Sequence, residues 1–193
     1  MSNHYWRLFQ LKATSDLKND HITVRRLGTI AQNCSDKLYL NQDIPIEDIE
    51  LISVIIEEFV DRFHHGKEEQ AYFPGTKDKD SFGEDIRKFL IEHELGRRIA
   101  RMLRGHLNSW KTGIDSREPV ARFLKSYAVF ISDHTGKEDN FFDLVEEKKS
   151  ITEQEDQMLI KHYDSCRNQV GGRVRMEQML KLISYLESKE WMK

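Results

Sequence analysis

Two short stretches of this chain echo each other. Residues 64–69 read His-His-Gly-Lys-Glu-Glu, and residues 134–139 read His-Thr-Gly-Lys-Glu-Asp. Alignment pairs His64 with His134, Gly66 with Gly136, Lys67 with Lys137 and Glu68 with Glu138. In each copy a histidine and a glutamate stand four positions apart. On a helix of about 3.6 residues per turn such positions lie roughly 40° apart, so imidazole and carboxylate project from one face. A neutral imidazole offers a nitrogen lone pair, and a carboxylate can span two cations and offset their charge. That mixed nitrogen and oxygen donor set suits iron, or manganese in its place, better than a soft thiolate-seeking metal.

The elements that must hold these residues read as long helices. The first is expected from about Ser15 to Leu40, with Leu17, His21, Val24, Gly28 and Ala31 on one face. The second opens at Pro45 and runs to about Tyr72; its stripe of Ile49, Ile52, Ile56, Phe59, Val60 and Phe63 leads into His64. Pro74-Gly75 and the following Lys-Asp-Lys-Asp read as a loop. Ser81 and Glu84 have the spacing of a capping box ahead of a third helix whose apolar face contains His93. A fourth helix starts near Ser116 and Pro119, and its stripe through Val120, Leu124, Tyr127 and Ile131 reaches His134. Thr152 and Glu155 predict a capped fifth helix, and Gly171-Gly172 break it before a last amphipathic segment with Met176, Met179 and Leu180.

No segment alternates as strands do. The expected fold is all-α: an up-down four-helix bundle over residues 1–150, with a helical C-terminal extension, 151–193, packed on it. Each of the four long helices then brings one histidine to the core, and two bring a glutamate as well. Burying so many ionisable groups costs several kcal/mol for each uncompensated charge. A metal cluster supplies the compensation.

The ordered set His21, His64-x-x-x-Glu68, His93, His134-x-x-x-Glu138 resembles the hemerythrin-like domains, also called HHE cation-binding domains. The flanks are similar too: Asp-Leu-Lys-Asn-Asp-His at the first site, Lys-Glu-Glu then Tyr-Phe-Pro after the second, Glu-His-Glu-Leu-Gly-Arg at the third. The likeness covers roughly residues 14 to 148. It implies a non-haem centre of two iron ions, carboxylate- and oxo-bridged, with Glu68 and Glu138 as bridges and His21, His64, His93 and His134 as terminal ligands. It also implies a small ligand: oxygen, peroxide or nitric oxide, reacted with by a di-iron oxidoreductase, or bound without turnover by a sensor of oxygen, nitric oxide or iron. A role in iron handling or iron-sulfur cluster repair is a further option, weakened because no cysteine-bearing N-terminal segment is seen. The oxygen carriers of the family have a second histidine one turn after the third-helix histidine, where this chain has Arg97. That departure favours redox reaction, sensing or iron handling over reversible transport. In the carriers the fourth-helix carboxylate follows the histidine by five residues, which makes Asp139 an alternative to Glu138.

Other residues could support the centre from behind. Glu57, two turns before His64, could orient a ligand imidazole, or ion-pair at the bundle end. Tyr72 and Tyr127 lie on the metal-facing stripes, where a phenol could meet a bound ligand or simply pack. Arg97 could pair with a ligand carboxylate or reach out to solvent. His65 and Glu69 form a second pair four apart, turned about 100° from the first, and are expected at solvent or a neighbouring helix. His4, His106 and His162 are expected at the surface. Gly66 and Gly136 suggest close helix packing or a local bend.

The 193 residues carry a net charge of −3, without the basic bias of a nucleic-acid binder. No apolar run nears the roughly 20 residues of a membrane span, and the N-terminus lacks a signal-peptide core. Cys34 and Cys166 are too few for a disulfide framework. The expected setting is the cytoplasm, with no nucleic-acid or membrane partner.

Overall fold

A computed structural model describes residues 11–193. His4 lies outside the described residues. Among them the chain is all-helical, with six helices and no strand. Helix α1 spans Lys12–Tyr39. Helix α2 runs over 46–76 as one rod of changing winding. α-helical turns at Ile46–Ile55, His65–Lys67 and Phe73–Thr76 alternate with wider π-helical turns at Ile56–His64 and Glu68–Tyr72. Helices α3 (Gly83–Lys111) and α4 (Arg117–Glu147) follow, then α5 (Glu153–Gln169), α6 (Gly172–Glu187) and a final 3₁₀ turn, Glu190–Met192. None is long and apolar enough to cross a membrane.

Helix α4 packs along both α1 and α3, and α2 lies against α1 and α3. The buried faces are those the periodicity predicts: on α1, Leu17, His21, Val24, Gly28 and Ala31 are all buried. Two apolar clusters result. One holds Val24, Ile52, Val60, Leu103, Leu124 and Ile131, and the other Leu17, Tyr72, Phe89, Phe141 and Phe142. Along every one of the four long helices, the histidine falls between residues of one cluster and residues of the other. The polar layer is therefore closed off above and below.

The two C-terminal helices add to both clusters. Met176, Met179, Ile183 and Leu186 of α6 enter the first, and Leu159 and Tyr163 of α5 enter the second. Leu180, on the other face of α6, is 40% exposed. Asp156 of α5 accepts hydrogen bonds from the backbone N–H groups of Lys12 (3.2 Å) and Ala13 (2.8 Å). It satisfies donors that a helix start leaves open, where the helix dipole favours an anion.

Local signals fared unevenly. Thr152 and Glu155 form the reciprocal capping box expected of them. Ser81 and Glu84 do not: α3 starts at Gly83 without a side-chain cap, Ser81 has φ 66°, and Glu84 pairs with Arg87. Pro74-Gly75 does not open a loop: the rod continues through both in the last α-helical turn of α2, Phe73–Thr76. Gly171 and Gly172 turn the chain between α5 and α6 with φ of 97° and 74°, a region that disfavours any side chain.

Candidate metal centre

His21 comes from α1, His64 and Glu68 from α2, His93 from α3, and His134 and Glu138 from α4. All six are fully buried. The spacing of four in α2 and α4 puts each glutamate beside its own histidine: His64 Nε2 is 3.5 Å from Glu68 Oε1, and His134 Nε2 is 3.3 Å from Glu138 Oε2. The carboxylates also reach across the core. Glu68 turns Oε1 toward His21 (3.9 Å) and Oε2 toward His93 (3.5 Å). Glu138 turns Oε1 toward His93 (3.2 Å) and Oε2 toward His21 (3.4 Å). Each carboxylate thus addresses imidazoles from different helices with different oxygens.

Behind each imidazole stands an acid, and behind each acid a base. His21 Nδ1 meets Asp139 at 2.7 Å, and Asp139 is held by Arg25. His64 Nδ1 meets Asp20 at 3.2 Å, and Asp20 is held by Lys67 at 2.5 Å. His93 Nδ1 meets Glu69 at 2.8 Å, and Glu69 is held by Arg97 at 2.8 Å. His134 Nδ1 meets Glu92 at 2.8 Å, and Glu92 is held by Lys137 at 2.8 Å. An imidazole that donates Nδ1–H outward presents the Nε2 lone pair inward, the tautomer a metal needs.

Among the described residues only two of the inward atoms have a protein partner, His93 Nε2 and Glu138 Oε1, which bond each other at 3.2 Å. His21 Nε2, His64 Nε2, His134 Nε2, both Glu68 oxygens and Glu138 Oε2 are buried and make no hydrogen bond. Unpaired buried polar atoms cost free energy, and clusters of them are rare in folded proteins. Burial pushes the His64 imidazole well below its usual range, so it stays neutral. Burial and the nearby Glu138 carboxylate push Glu68 well above its own. His21, His64, Glu68 and Glu138 offer ligand atoms within 4.8 Å of one another. Imidazoles and facing carboxylates are a donor set that fits a hard or borderline divalent cation, and a bound cation would remove the cost of every orphaned atom in it.

For several residues the structure decides between the alternatives the sequence left open. Glu57 faces outward and pairs with Arg104 at 2.5 Å, away from the histidines. The Tyr72 hydroxyl is engaged by Thr14 Oγ1 at 3.0 Å, with its ring against Phe142. Tyr127 sits in an apolar cluster, its ring against Phe130. Neither phenol is turned to the polar layer by a hydrogen bond. Arg97 does not reach a central carboxylate; it bonds Glu69 and Asp61, and so lies two steps from the centre. Asp139 bonds the outer nitrogen of His21, whereas Glu138 lies among the inner ones. Of the two alternatives for His65 and Glu69, the neighbouring helix holds: His65 is buried, stacked on His93 of α3 with ring centroids 3.9 Å apart, and the partly exposed Glu69 holds His93. His162 is exposed, and His106 is partly buried against Phe123.

The glycines of the echo are not there for close packing. A Cβ at Gly136 would meet nothing within 4 Å, and one at Gly66 only Gln70 at 3.7 Å. Close packing occurs instead at Gly96, where a Cβ would lie 2.6 Å from the Phe130 ring, which stacks on His134.

Of the acids behind the imidazoles, Asp139 was a candidate for that supporting place, while Asp20, Glu69 and Glu92 were missed, although they had a signal. Residues 20–25 run Asp-His-x-x-x-Arg and residues 92–97 run Glu-His-x-x-x-Arg. This second echo, on α1 and α3, interlocks with the first on α2 and α4. The acid before each histidine serves the histidine of the other echo, and the arginine one turn on holds the acid that serves its own.

The Hemerythrin HHE cation binding domain family matches residues 12–145, and the chain belongs to that family. The match spans the four long helices and every residue of the two echoes. No curated protein and no solved structure gives a significant match.

Proposed function

We propose that this chain is a non-haem di-iron protein whose four long helices form an up-down bundle around a carboxylate-bridged pair of iron ions. The observation that carries the reading is the set of inward donor atoms on four imidazoles and two carboxylates, unpartnered on three of the imidazoles and both carboxylates, with each imidazole locked from behind by an acid. Glu68 and Glu138 would bridge. Six protein donors for two ions leave open positions, and a ferrous pair there would supply electrons to a small oxidant. Zinc in a structural role is less suited, because it takes four ligands in a closed tetrahedron.

The residues themselves restrict the ligand. All six donors are fully buried, which favours a diatomic or peroxide over anything larger. A polar cleft of about 260 Å³ is lined by Asp61, Gly66, Glu69 and Arg97, beside the side chains that hold His93. The reaction read from this arrangement is reduction or decomposition of oxygen, peroxide or nitric oxide. Binding of the same ligands without turnover, as a sensor does, would use the same centre. Cys34 is buried with its thiol held protonated by burial, in keeping with a reducing cytoplasm.

The test is metal content and the optical spectrum of protein purified without oxygen, followed by peroxide and nitric oxide turnover. About two irons per chain, with charge-transfer absorption growing in on exposure to air, is the expected result. A metal-free chain that cannot be loaded with ferrous iron would overturn the reading.

A further inference from the structure

We infer that His65 is a seventh ligand of the centre, a third imidazole for the metal position next to His93 and His134. The inference rests on the two-metal reading above and makes that pair unequal.

The first observation is that His65 has the surroundings of a ligand and no other occupation. It is 3% exposed, and both of its ring nitrogens lack a hydrogen-bond partner. A ring that merely filled the core would be served as well by phenylalanine, without two stranded polar atoms. Ligand atoms of His65, His93 and His134 lie within 4.8 Å of one another, a second donor group beside that of His21, His64, Glu68 and Glu138. The ring stacks 14° from parallel on His93, and no hydrogen bond has to break for it to turn toward a cation.

The second observation is the acid behind it. Asp61 Oδ1 lies 3.7 Å from His65 Nδ1, and Arg97 holds that oxygen at 2.6 Å. This repeats, more loosely, the imidazole–acid–base chain found behind the other four histidines. It also gives Arg97 a double part, since one guanidinium holds the acid behind His65 and the acid behind His93.

The third observation is the symmetry of the two echoes. The position equivalent to His65 in the second copy is Thr135, whose hydroxyl donates to the Ile131 carbonyl at 2.9 Å and accepts from Arg25. Thr135 supplies no nitrogen donor. One metal position therefore has His21 and His64, and the other has His93, His134 and His65.

Cobalt(II) is the probe, added without oxygen to the metal-free full-length chain. Wild type should take up two equivalents and show five hyperfine-shifted exchangeable imidazole N–H signals in its proton NMR spectrum. His65→Phe, which keeps a flat ring on His93, should retain one tight equivalent, lose one N–H signal and bind the second equivalent roughly a hundredfold more weakly. Four signals from fully loaded wild type would overturn the assignment without recourse to any variant. So would unchanged uptake of two equivalents by His65→Phe. Failure of wild type to take up cobalt would instead overturn the two-metal reading on which the assignment stands.

Discussion

The two halves of the site share one plan and differ in what surrounds it. In the first half Lys67 holds Asp20 and Asp16, is fully buried, and lies over the rings of Phe63 and Tyr163. In the second half Lys137 holds Glu92 and Asp133 with its side chain 48% exposed. The difference comes from outside the echoes. Helix α5 lies against α2 and supplies Tyr163 and Cys166, whose thiol rests 3.7 Å from the Gly66 carbonyl. Among the described residues nothing equivalent covers α4 at Lys137. The same local sequence is thus an enclosed ion-pair cluster in one place and a solvated surface in the other.

The metal itself should have the largest effect, because it holds both halves at once. If two ions bind at a thousandfold above their dissociation constants, each contributes about 4 kcal/mol. Removing them should lower the melting temperature by about 10 °C or more, and Glu138→Ala, which takes away a carboxylate both halves share, should abolish the gain from added metal. Calorimetry with and without ferrous iron checks both.

Next in size is the contrast between the lysines. Lys67→Ala strands the carboxylates of Asp16 and Asp20 under α5 and should cost about 3 kcal/mol. Lys137→Ala removes a solvated pair and should cost less than about 1 kcal/mol. Urea unfolding of the two metal-free variants measures the difference. Equal costs would mean that α5 does not enclose Lys67 in solution.

The glycines sharpen the comparison further. Gly96→Ala drives a methyl group into Phe130 and should cost about 1–3 kcal/mol, felt at His134 through the stacked ring. Gly136→Ala meets open space and should stabilise by up to about 1 kcal/mol, since alanine is the better helix former. Thermal melts of the two variants should therefore move in opposite directions.

The smallest effect concerns the start of the helix that makes the halves differ. A hydrogen bond from Lys79, and then the backbone N–H of Thr152, lower Glu155 from its ordinary value to about 2. A carboxylate lowered in the folded state stabilises above its unfolded value of 4.5 and loses that contribution as pH falls toward 2. After allowance for solvent screening, Glu155→Gln should cost about 0.5 kcal/mol at pH 7, and the gap should shrink by more than half by pH 3. Chemical unfolding at the two pH values reads it.

The chain order of its amino acids determined a good deal. The spacing of four between His64 and Glu68, and between His134 and Glu138, is a statement about one helical face, and it holds wherever a helix forms. The apolar stripes set which face goes inside, so the four histidines had to enter the core. What periodicity could not say is who stands behind each imidazole, because that partner always comes from another helix: Asp139 of α4 for His21 of α1, Glu92 of α3 for His134 of α4. Nor could it bring His65 inside. Counting 100° per residue turns His65 away from His64, but the π-helical turns on either side of His65–Lys67 take up more residues per turn and alter the facing. The same change of winding bears on Glu57: counting 100° per residue left it either inward or ion-paired, and the rod faces it to Arg104. Local spacing thus determined which donors share a helix face. The packing of four helices decided which of them meet, and the covering by α5 decided which of two similar ion-pair clusters is shut away from water.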